Sequence, residues 1–146
     1  MACNSFQKQV LEKEISDVSF IDLKGYDISL SLSKNQVFSI LQQIPKILKA
    51  IKFEKQFVAN FIKSNKVDLI ISDNRYGFRN DSVKSVFITH QTCIKTPLKI
   101  KLFEKLLNNH NTKIINKFNE CWVPDFEGDD NISGELSHKN TRITRA

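Results

Sequence analysis

Apolar side chains recur along this chain at two different spacings, and each spacing predicts a different element. A three-and-four spacing, typical of helices with one buried face, predicts a short helix within "SFQKQVLEKE", with Asn4 or Ser5 as its N-cap. The same spacing predicts two long helical stretches at 36–63 and 97–118. Short apolar and β-branched runs predict strands between the helices. These strands are Val18–Asp22, Val67–Ile71, Ser85–Thr89 and Cys121–Val123.

Three features interrupt this pattern. Pro45 lies inside the first long stretch, where its ring and its missing N–H favour a kink or a division into two helices. The polar patch "NNHNT" at 108–112 is expected to break or fray the second stretch. After Pro124 the sequence is first acidic and then basic, without apolar periodicity, which is typical of a linker or a tail.

The alternation of helices with nearly continuous apolar strands is typical of an α/β protein whose sheet is mostly parallel. We therefore predict a Rossmann-like α/β domain at residues 1–125, with helices flanking the sheet. Residues 126–146 are predicted to form a linker or tail, with no second domain. The 146 residues, 40% of them hydrophobic, suit a single domain with a substantial core.

The formal charge of +6 raises the question of a polyanionic partner. The lysines form no dense block, so we expect no nucleic-acid binding, whereas contact with an anionic membrane surface needs fewer charges and stays open. No apolar run approaches the roughly 20 residues that span a bilayer, and no signal peptide is recognisable. With three widely spaced cysteines, the expected location is cytoplasmic, peripheral to a membrane at most.

Several site motifs are absent from the sequence. It contains no GxGxxG, no GxxxxGK[ST] and no GxSxG, which excludes a complete dinucleotide site, a P-loop and a nucleophile elbow. The three histidines lack nearby carboxylates at metal-ligand spacing, and the acidic residues after Pro124 do not fit a calcium loop. We therefore expect neither a bound cofactor nor a metal ion.

Polar residues instead cluster where the predicted strands end. In an open α/β sheet, ligands bind in the crevice beyond the carboxyl ends of the strands, so residues placed there are the candidates for a functional site. They are Ser72, Asp73, Asn74, Arg75, His90, Gln91 and Asp125.

Asp73 and His90 are the candidates for proton transfer. For Asp73 we weigh a role as a base or a metal ligand about equally with a structural role in capping a turn. An imidazole titrates near neutral pH, which suits proton transfer, although a single histidine beside a strand is more often structural. Arg75 offers a planar fork for a phosphate or a carboxylate, or it neutralises Asp73.

Two segments carry a resemblance to a known family. They are "IISDNRYGFRNDSVKSVFITHQ" and, after a helix, "KFNECWVPDFEGDDNISGELSH". In this order, the motifs "SDNRYGFR", "FITHQ", "CWVPD" and "SGELSH" resemble bacterial glycosyltransferases of the two-domain GT-B architecture. These enzymes are distantly similar to the N-acetylglucosaminyltransferase of peptidoglycan synthesis. The resemblance extends from about Asn4 to His138.

The resemblance implies an enzyme that transfers a sugar from a nucleotide-sugar donor, expected to be a UDP-sugar, to a hydroxyl of an acceptor glycan or glycolipid. It implies that the acceptor lies in the N-terminal domain, which this chain resembles, and that the nucleotide lies in a second domain. Under this resemblance, Asp73 or His90 takes or relays the acceptor proton, and the other candidate residues orient the substrate.

The chain departs from the family at both ends. Members begin with a strand and a glycine-rich loop that carries a histidine, and they continue past "SGELSH" into a donor domain. We therefore expect the first two strands and the donor domain to be missing, and the chain alone to be inactive. Val18–Asp22 then either pairs directly with Val67–Ile71 or leaves a gap with exposed edges. Such edges predict poor solubility or marginal stability.

Two other functions stay open at this stage. A small non-catalytic α/β module would use Asp73, Arg75 and His90 to hold a sugar or a phosphorylated ligand. A basic α/β protein that binds nucleic acid is the less favoured alternative. Titration with sugar nucleotides, sugars and single-stranded nucleic acid would separate these functions from one another.

Overall fold

The fold was analysed in a computed structural model, which describes residues 1–25, 36–95, 101–126, 132–138 and 143. Helices and strands are interspersed along the described residues, with the strand Ile70–Asp73 followed directly by the strand Ser85–Ile88, and the three pairings between strands are parallel. This confirms the predicted α/β class. In chain order, the elements are β1 (Ala2–Cys3), α1 (Ser5–Leu11), β2 (Ile21–Asp22), α2 (Gln36–Ser64), β3 (Ile70–Asp73), β4 (Ser85–Ile88), α3 (Lys101–Ile115), β5 (Glu120–Trp122) and α4 (Glu135–His138).

The described strands form two separate sheets. One sheet has three strands in the order β3-β4-β5, and the other pairs β1 with β2. In the larger sheet, Ile70 lies opposite Ser85 and Asp73 lies opposite Ile88, so the carboxyl ends of β3 and β4 are level. Among the described strands, no pairing joins β2 to β3. Of the two predicted alternatives, direct pairing of these strands is therefore wrong, and a gap is present.

β1 is a correction to the sequence analysis. Ala2–Cys3 was not predicted as a strand, yet it pairs in parallel with Ile21–Asp22. The expectation that Val18–Asp22 is the first strand of this chain is therefore wrong, and the strand itself is shorter than predicted. Two residues are too few to show a period of two, which is why the pattern missed β1.

The core of the molecule lies against the larger sheet. Phe87 of β4 is completely buried, and its ring lies 5.2 Å from that of Tyr76 and 4.9 Å from that of Phe118, measured between centroids. β4 has a strand on each side, and its first three residues are buried. The core cluster consists of Phe87, Ile115, Phe118, Cys121 and Ile143.

α2 runs as one helix through Pro45. The predicted alternative of two helices is therefore wrong. Pro45 is exposed, so solvent can satisfy the carbonyl group that a proline leaves without its N–H partner. The remaining helical bonds on either side then keep the axis continuous.

α3 also continues where a break was expected, through the asparagines of "NNHNT". Asn108 exchanges two hydrogen bonds with the backbone of Ile94, its amide donating over 2.9 Å and its carbonyl accepting over 2.6 Å. Asn111 donates to the carbonyl of Thr92 over 3.2 Å. Both side chains anchor the loop that follows β4, and Asn108 also donates to the carbonyl of Glu104, one turn earlier in α3, over 2.9 Å. Neither asparagine therefore breaks the helix.

Candidate functional site

The end of β3 is a tight turn that leaves Asp73 at the surface. Asn74 adopts a positive φ of 52°, which asparagine tolerates better than most residues, and its N–H donates to the carbonyl of Ile88 over 3.0 Å. The buried hydroxyl of Ser72 donates to the carbonyl of Arg75 over 2.6 Å. Ser72 therefore closes the turn, while the side chains of Asp73 and Asn74 are exposed.

The end of β4 presents His90 and Gln91 in a similar way. The N–H of Thr89 donates to the carbonyl of Trp122 over 3.1 Å, which extends the pairing with β5. The buried hydroxyl of Thr89 accepts from the N–H of Gln91 over 3.0 Å. His90 and Gln91 are exposed. Because Asp73 lies opposite Ile88, His90 projects from the same edge of the sheet two residues beyond that pair.

Arg75 points inward and joins three parts of the chain. Its Nε lies 3.2 Å from Oε1 of Glu54, and its Nη2 donates to the carbonyl of Lys24 over 2.6 Å. Its side chain is 18% exposed. The guanidinium is therefore neutralised by Glu54 and not by Asp73, the acidic neighbour in sequence. These contacts compete with the predicted role of Arg75 in binding a substrate.

Glu54 was missed by the sequence analysis although it is 2% exposed. Its Oε2 accepts from the N–H of Gly77 over 3.0 Å. A Cβ at Gly77 would lie 2.4 Å from the carbonyl oxygen of Ile51, so only glycine allows this approach. The available signal was a carboxylate within the apolar stripe that Ile51 and Val58 form at helical spacing, because a charge at such a position needs a buried partner.

Asp125 also has structural contacts. Its carboxylate accepts from the N–H groups of Phe126, Ile132 and Ser133 over 2.8–3.1 Å. It further bonds the hydroxyls of Ser133 and Ser137. Asp125 thereby closes the chain between β5 and α4, and these bonds compete with its predicted role in binding a substrate.

A second buried polar network connects the turn after β3 to α4. The hydroxyl of Tyr76 donates to Asn111 over 2.9 Å, and Thr92 donates to the carbonyl of Ser137 over 2.9 Å. Burial, and then the nearby Cys121, raise the pKa of Tyr76, so its hydroxyl stays a donor at neutral pH. The described part of 126–146 therefore packs on the rest of the chain, and Ile143 lies in the core. The domain boundary at 125 stays a prediction.

A cleft of about 650 Å³ opens between the two sheets. β1 forms one wall, β3 forms the other, and the last turns of α2 contribute Phe57, Val58 and Phe61. Asp73 and Arg75 line it at the carboxyl end of β3. The exposed candidates Asp73, Asn74, His90 and Gln91 thus share one edge of the sheet, whereas Ser72, Arg75 and Asp125 hold the fold. The substrate roles of all seven stay predictions.

Within the described ranges, no group of three or more histidines, cysteines and carboxylates is placed to hold a metal ion. No helix of the same ranges is both long and apolar enough to cross a membrane. Comparison with protein-family models gave no match, and neither did comparisons with curated proteins and with solved structures. The function is therefore inferred from the residues, the geometry and the resemblance described above.

Proposed function

We propose that this chain is the acceptor-side part of a GT-B glycosyltransferase with a Rossmann-like sheet. The complete enzyme transfers a sugar from a nucleotide-sugar donor, a UDP-sugar, to a hydroxyl of an acceptor glycan or glycolipid. The observation that carries the proposal is the placement of Asp73 and His90 on one edge of a parallel sheet, where Asp73 lines an apolar cleft. Open α/β sheets bind their ligands at this edge.

In this proposal, the base is Asp73 or His90. The base takes the proton of the acceptor hydroxyl as the oxygen forms its bond to the anomeric carbon of the sugar. The bond from that carbon to the diphosphate breaks, and its electron pair leaves with the nucleoside diphosphate. Neither side chain forms a hydrogen bond or an ion pair within the described part of the chain, so both are accessible to a substrate.

Asn74 and Gln91 orient the acceptor in this scheme. Their backbone N–H groups are held by Ile88 and Thr89, and their amide side chains are exposed at the same edge of the sheet. An amide donates and accepts at once, which suits a sugar with several hydroxyls. Ser72, Arg75 and Asp125 contribute by holding the loops that carry these groups.

Contact with an anionic membrane surface fits a glycolipid acceptor. α2 exposes Ile44 and Leu48 at helical spacing, with Lys49 and Lys52 also exposed on the same helix. An interfacial helix combines an apolar stripe with flanking lysines in this way. Binding to vesicles of phosphatidylglycerol, and not to vesicles of phosphatidylcholine, would support this contact. Leu48→Glu should abolish it.

The test of the proposal is acceptor binding by the chain, mapped by NMR with a panel of glycans and short-chain glycolipids. We expect the amides of Asn74, His90 and Gln91 to shift. Asp73→Asn and His90→Gln should weaken binding or, in the complete enzyme, lower kcat. Matched controls are Asp68→Asn, an exposed acid before the other end of β3, and His110→Gln, an exposed histidine on α3; both should behave as the unmodified chain.

The alternative functions give different outcomes in the same titration. Binding of inorganic phosphate or UDP at these amides, without any effect of glycans, would favour a non-catalytic binding module. Shifts caused by single-stranded RNA and suppressed by salt would favour a nucleic-acid binder. If Asp73→Asn and His90→Gln both leave transfer by the complete enzyme unchanged, the assignment of the base is wrong.

A further inference from the structure

The cleft between the two sheets is bordered by two strand edges. β3 pairs with β4 on one side only, and β1 pairs with β2 on one side only, within the described residues. Residues of both strands line the cleft, Ala2 and Cys3 from β1 and the whole of β3. The cleft therefore lies where a further strand would join the two sheets.

Backbone groups on these edges point toward the cleft. In β3, the N–H of Ile70 donates to Lys84 and that of Asn74 donates to Ile88, over 2.9 and 3.0 Å. Backbone groups of a parallel strand alternate in direction along the chain, so those of Ile71 and Asp73 point away from β4.

The same alternation applies to β1. The carbonyls of Met1 and Cys3 accept from Ile21 and Leu23 of the β2 segment, each over 2.8 Å. The N–H and C=O of Ala2 therefore point away from β2, toward the cleft that Ala2 lines. Both walls of the cleft therefore offer main-chain donors and acceptors, at every second residue, as the free edge of a β-strand does.

The size of the cleft matches a short strand. With 4.8 Å between strands, 10 Å between layers and 3.3 Å per residue, an extended chain needs about 160 Å³ per residue. A volume of about 650 Å³ therefore holds roughly four residues. β3 itself has four residues. Arg75 donates to the carbonyl of Lys24 beyond β2, so a hydrogen bond ties the two walls together at the carboxyl end. The ion pair with Glu54 holds the same guanidinium against α2.

We propose that this cleft binds an extended apolar segment of a polypeptide partner, about four residues long, which adds a strand between β1 and β3. The two sheets then become one, with the order β2-β1-partner-β3-β4-β5. Main-chain hydrogen bonds to Ala2, Ile71 and Asp73 provide the register. The apolar floor formed by Phe57, Val58 and Phe61 selects apolar side chains on the inner face.

Two other occupants fit the cleft less well. A lipid chain would bury the main-chain groups of Ala2, Ile71 and Asp73 without hydrogen-bond partners, which is costly. A second folded copy offers no suitable strand among the described ones, because each of them already uses at least one edge. An extended peptide with both edges free satisfies both walls.

The test uses the isotopically labelled chain and a synthetic peptide of alternating valine and isoleucine with polar solubilising ends. At a peptide concentration ten times Kd, we expect hydrogen exchange of the Ile71 and Asp73 amides to slow about tenfold. The control peptide has the same side chains but N-methylated amides, so it keeps the apolar contacts and loses the backbone donors. It should give no protection.

A matched pair of variants on α2 locates the binding. Phe61→Ser removes part of the floor of the cleft and should weaken peptide binding, whereas Phe53→Ser, exposed and outside the cleft, should not. If Phe61→Ser fails to fold, the two peptides on the unmodified chain still decide the question. Equal protection by the N-methylated peptide or by a fatty acid would overturn the proposal. Protection that accompanies dimerisation in sedimentation, and absence of any binding, would also overturn it.

Discussion

The two sheets of this molecule differ in what surrounds them. β4 has a strand on each side, and Ser85, Val86 and Phe87 are buried in the core. β1 and β2 have two residues each and one strand partner each, and Arg75 donates a hydrogen bond to the carbonyl of Lys24 just beyond β2. Apolar burial therefore covers Val86 and Phe87 at the centre of the larger sheet, whereas in the smaller sheet the buried apolar side chains are Cys3 and, just beyond β2, Leu23. The smaller sheet consequently depends more on its polar links.

This difference predicts two levels of stability in one chain. Segments with few buried apolar contacts open locally at lower free energy than a core strand does. We expect the amides of the β1–β2 pair to exchange faster than those of β4, and the variants below perturb one sheet or the other. The marginal stability expected from exposed strand edges should then be confined to the smaller sheet and its cleft.

The largest effect is expected at the centre of the larger sheet. Phe87→Ala removes a completely buried ring that contacts Tyr76 and Phe118, and should lower the free energy of unfolding by about 4 kcal/mol. Urea unfolding measures the change. Phe87→Leu, which retains most of the volume, should cost clearly less. A loss for Phe87→Ala below about 1 kcal/mol would contradict a core centred on β4.

The second largest effect is expected to be greater in the smaller sheet than in the larger one. Glu54→Gln keeps the shape of the side chain and an acceptor for Gly77 but leaves the guanidinium of Arg75 without its counter-charge. We expect the free energy of unfolding to fall by about 3 kcal/mol. This is the low end of the range for a broken buried ion pair, because Arg75 is partly exposed. Hydrogen exchange should accelerate most at Ile21 and Leu23. The control is Glu14→Gln, at an exposed carboxylate; uniform acceleration in both sheets would show that they open as one unit.

A smaller effect concerns α1, which connects the two strands of the smaller sheet. Asn4 accepts from the N–H of Gln7 over 2.8 Å, and Gln7 accepts in return from the N–H of Asn4 over 3.2 Å. Asn4→Ala should lower the free energy of unfolding by about 1 kcal/mol. Asn4→Ser should lower it much less, because serine is also a good N-cap. Exchange at β4 should not change with either variant.

The smallest effect is a pH dependence at the outer edge of the larger sheet. A hydrogen bond from Lys84, and then one from Trp122, lower the pKa of Glu120 below its ordinary value of 4.5. The stabilisation is present above this ordinary value and is lost as the pH falls through the lower, folded-state pKa. Glu120→Gln should flatten the loss of stability in this acidic range, as followed by thermal unfolding between neutral and acidic pH. If Glu120→Gln leaves the dependence of stability on pH unchanged, the contact between Glu120 and Lys84 does not contribute to stability.

Much of the fold was predictable because its signals are local. Asn4 was one of two predicted N-caps and forms the full capping box, and the predicted helix 36–63 differs from Gln36–Ser64 by one residue. The predicted strand Ser85–Thr89 is likewise one residue longer than β4. Caps, apolar periodicity and β-branched runs act within a few residues, so they are visible in the sequence.

Polar residues with distant partners were not predictable in this way. Asn108 and Asn111 indicated a broken helix, yet they bind Ile94 and Thr92, which lie 14 and 19 residues earlier in the chain. Glu54 carried a charge within an apolar stripe, and its partner Arg75 lies in another part of the chain. A local pattern cannot show whether a polar side chain finds a partner elsewhere in the chain. The presence of such a partner decides whether the side chain breaks a helix or stabilises the fold.

The candidate site illustrates the same division. The sequence by itself determined that this is an α/β chain and that Asp73, Asn74, His90 and Gln91 lie at the ends of its strands, because strand ends are marked by local composition. Asp73 is the last residue of β3 and does not follow the strand as predicted. Only the tertiary structure decided that Ser72, Arg75 and Asp125 are engaged in structural contacts, and that a cleft separates β1 from β3. Hydrogen bonds and strand pairing join residues far apart in the sequence, so their partners are known only once the chain is folded.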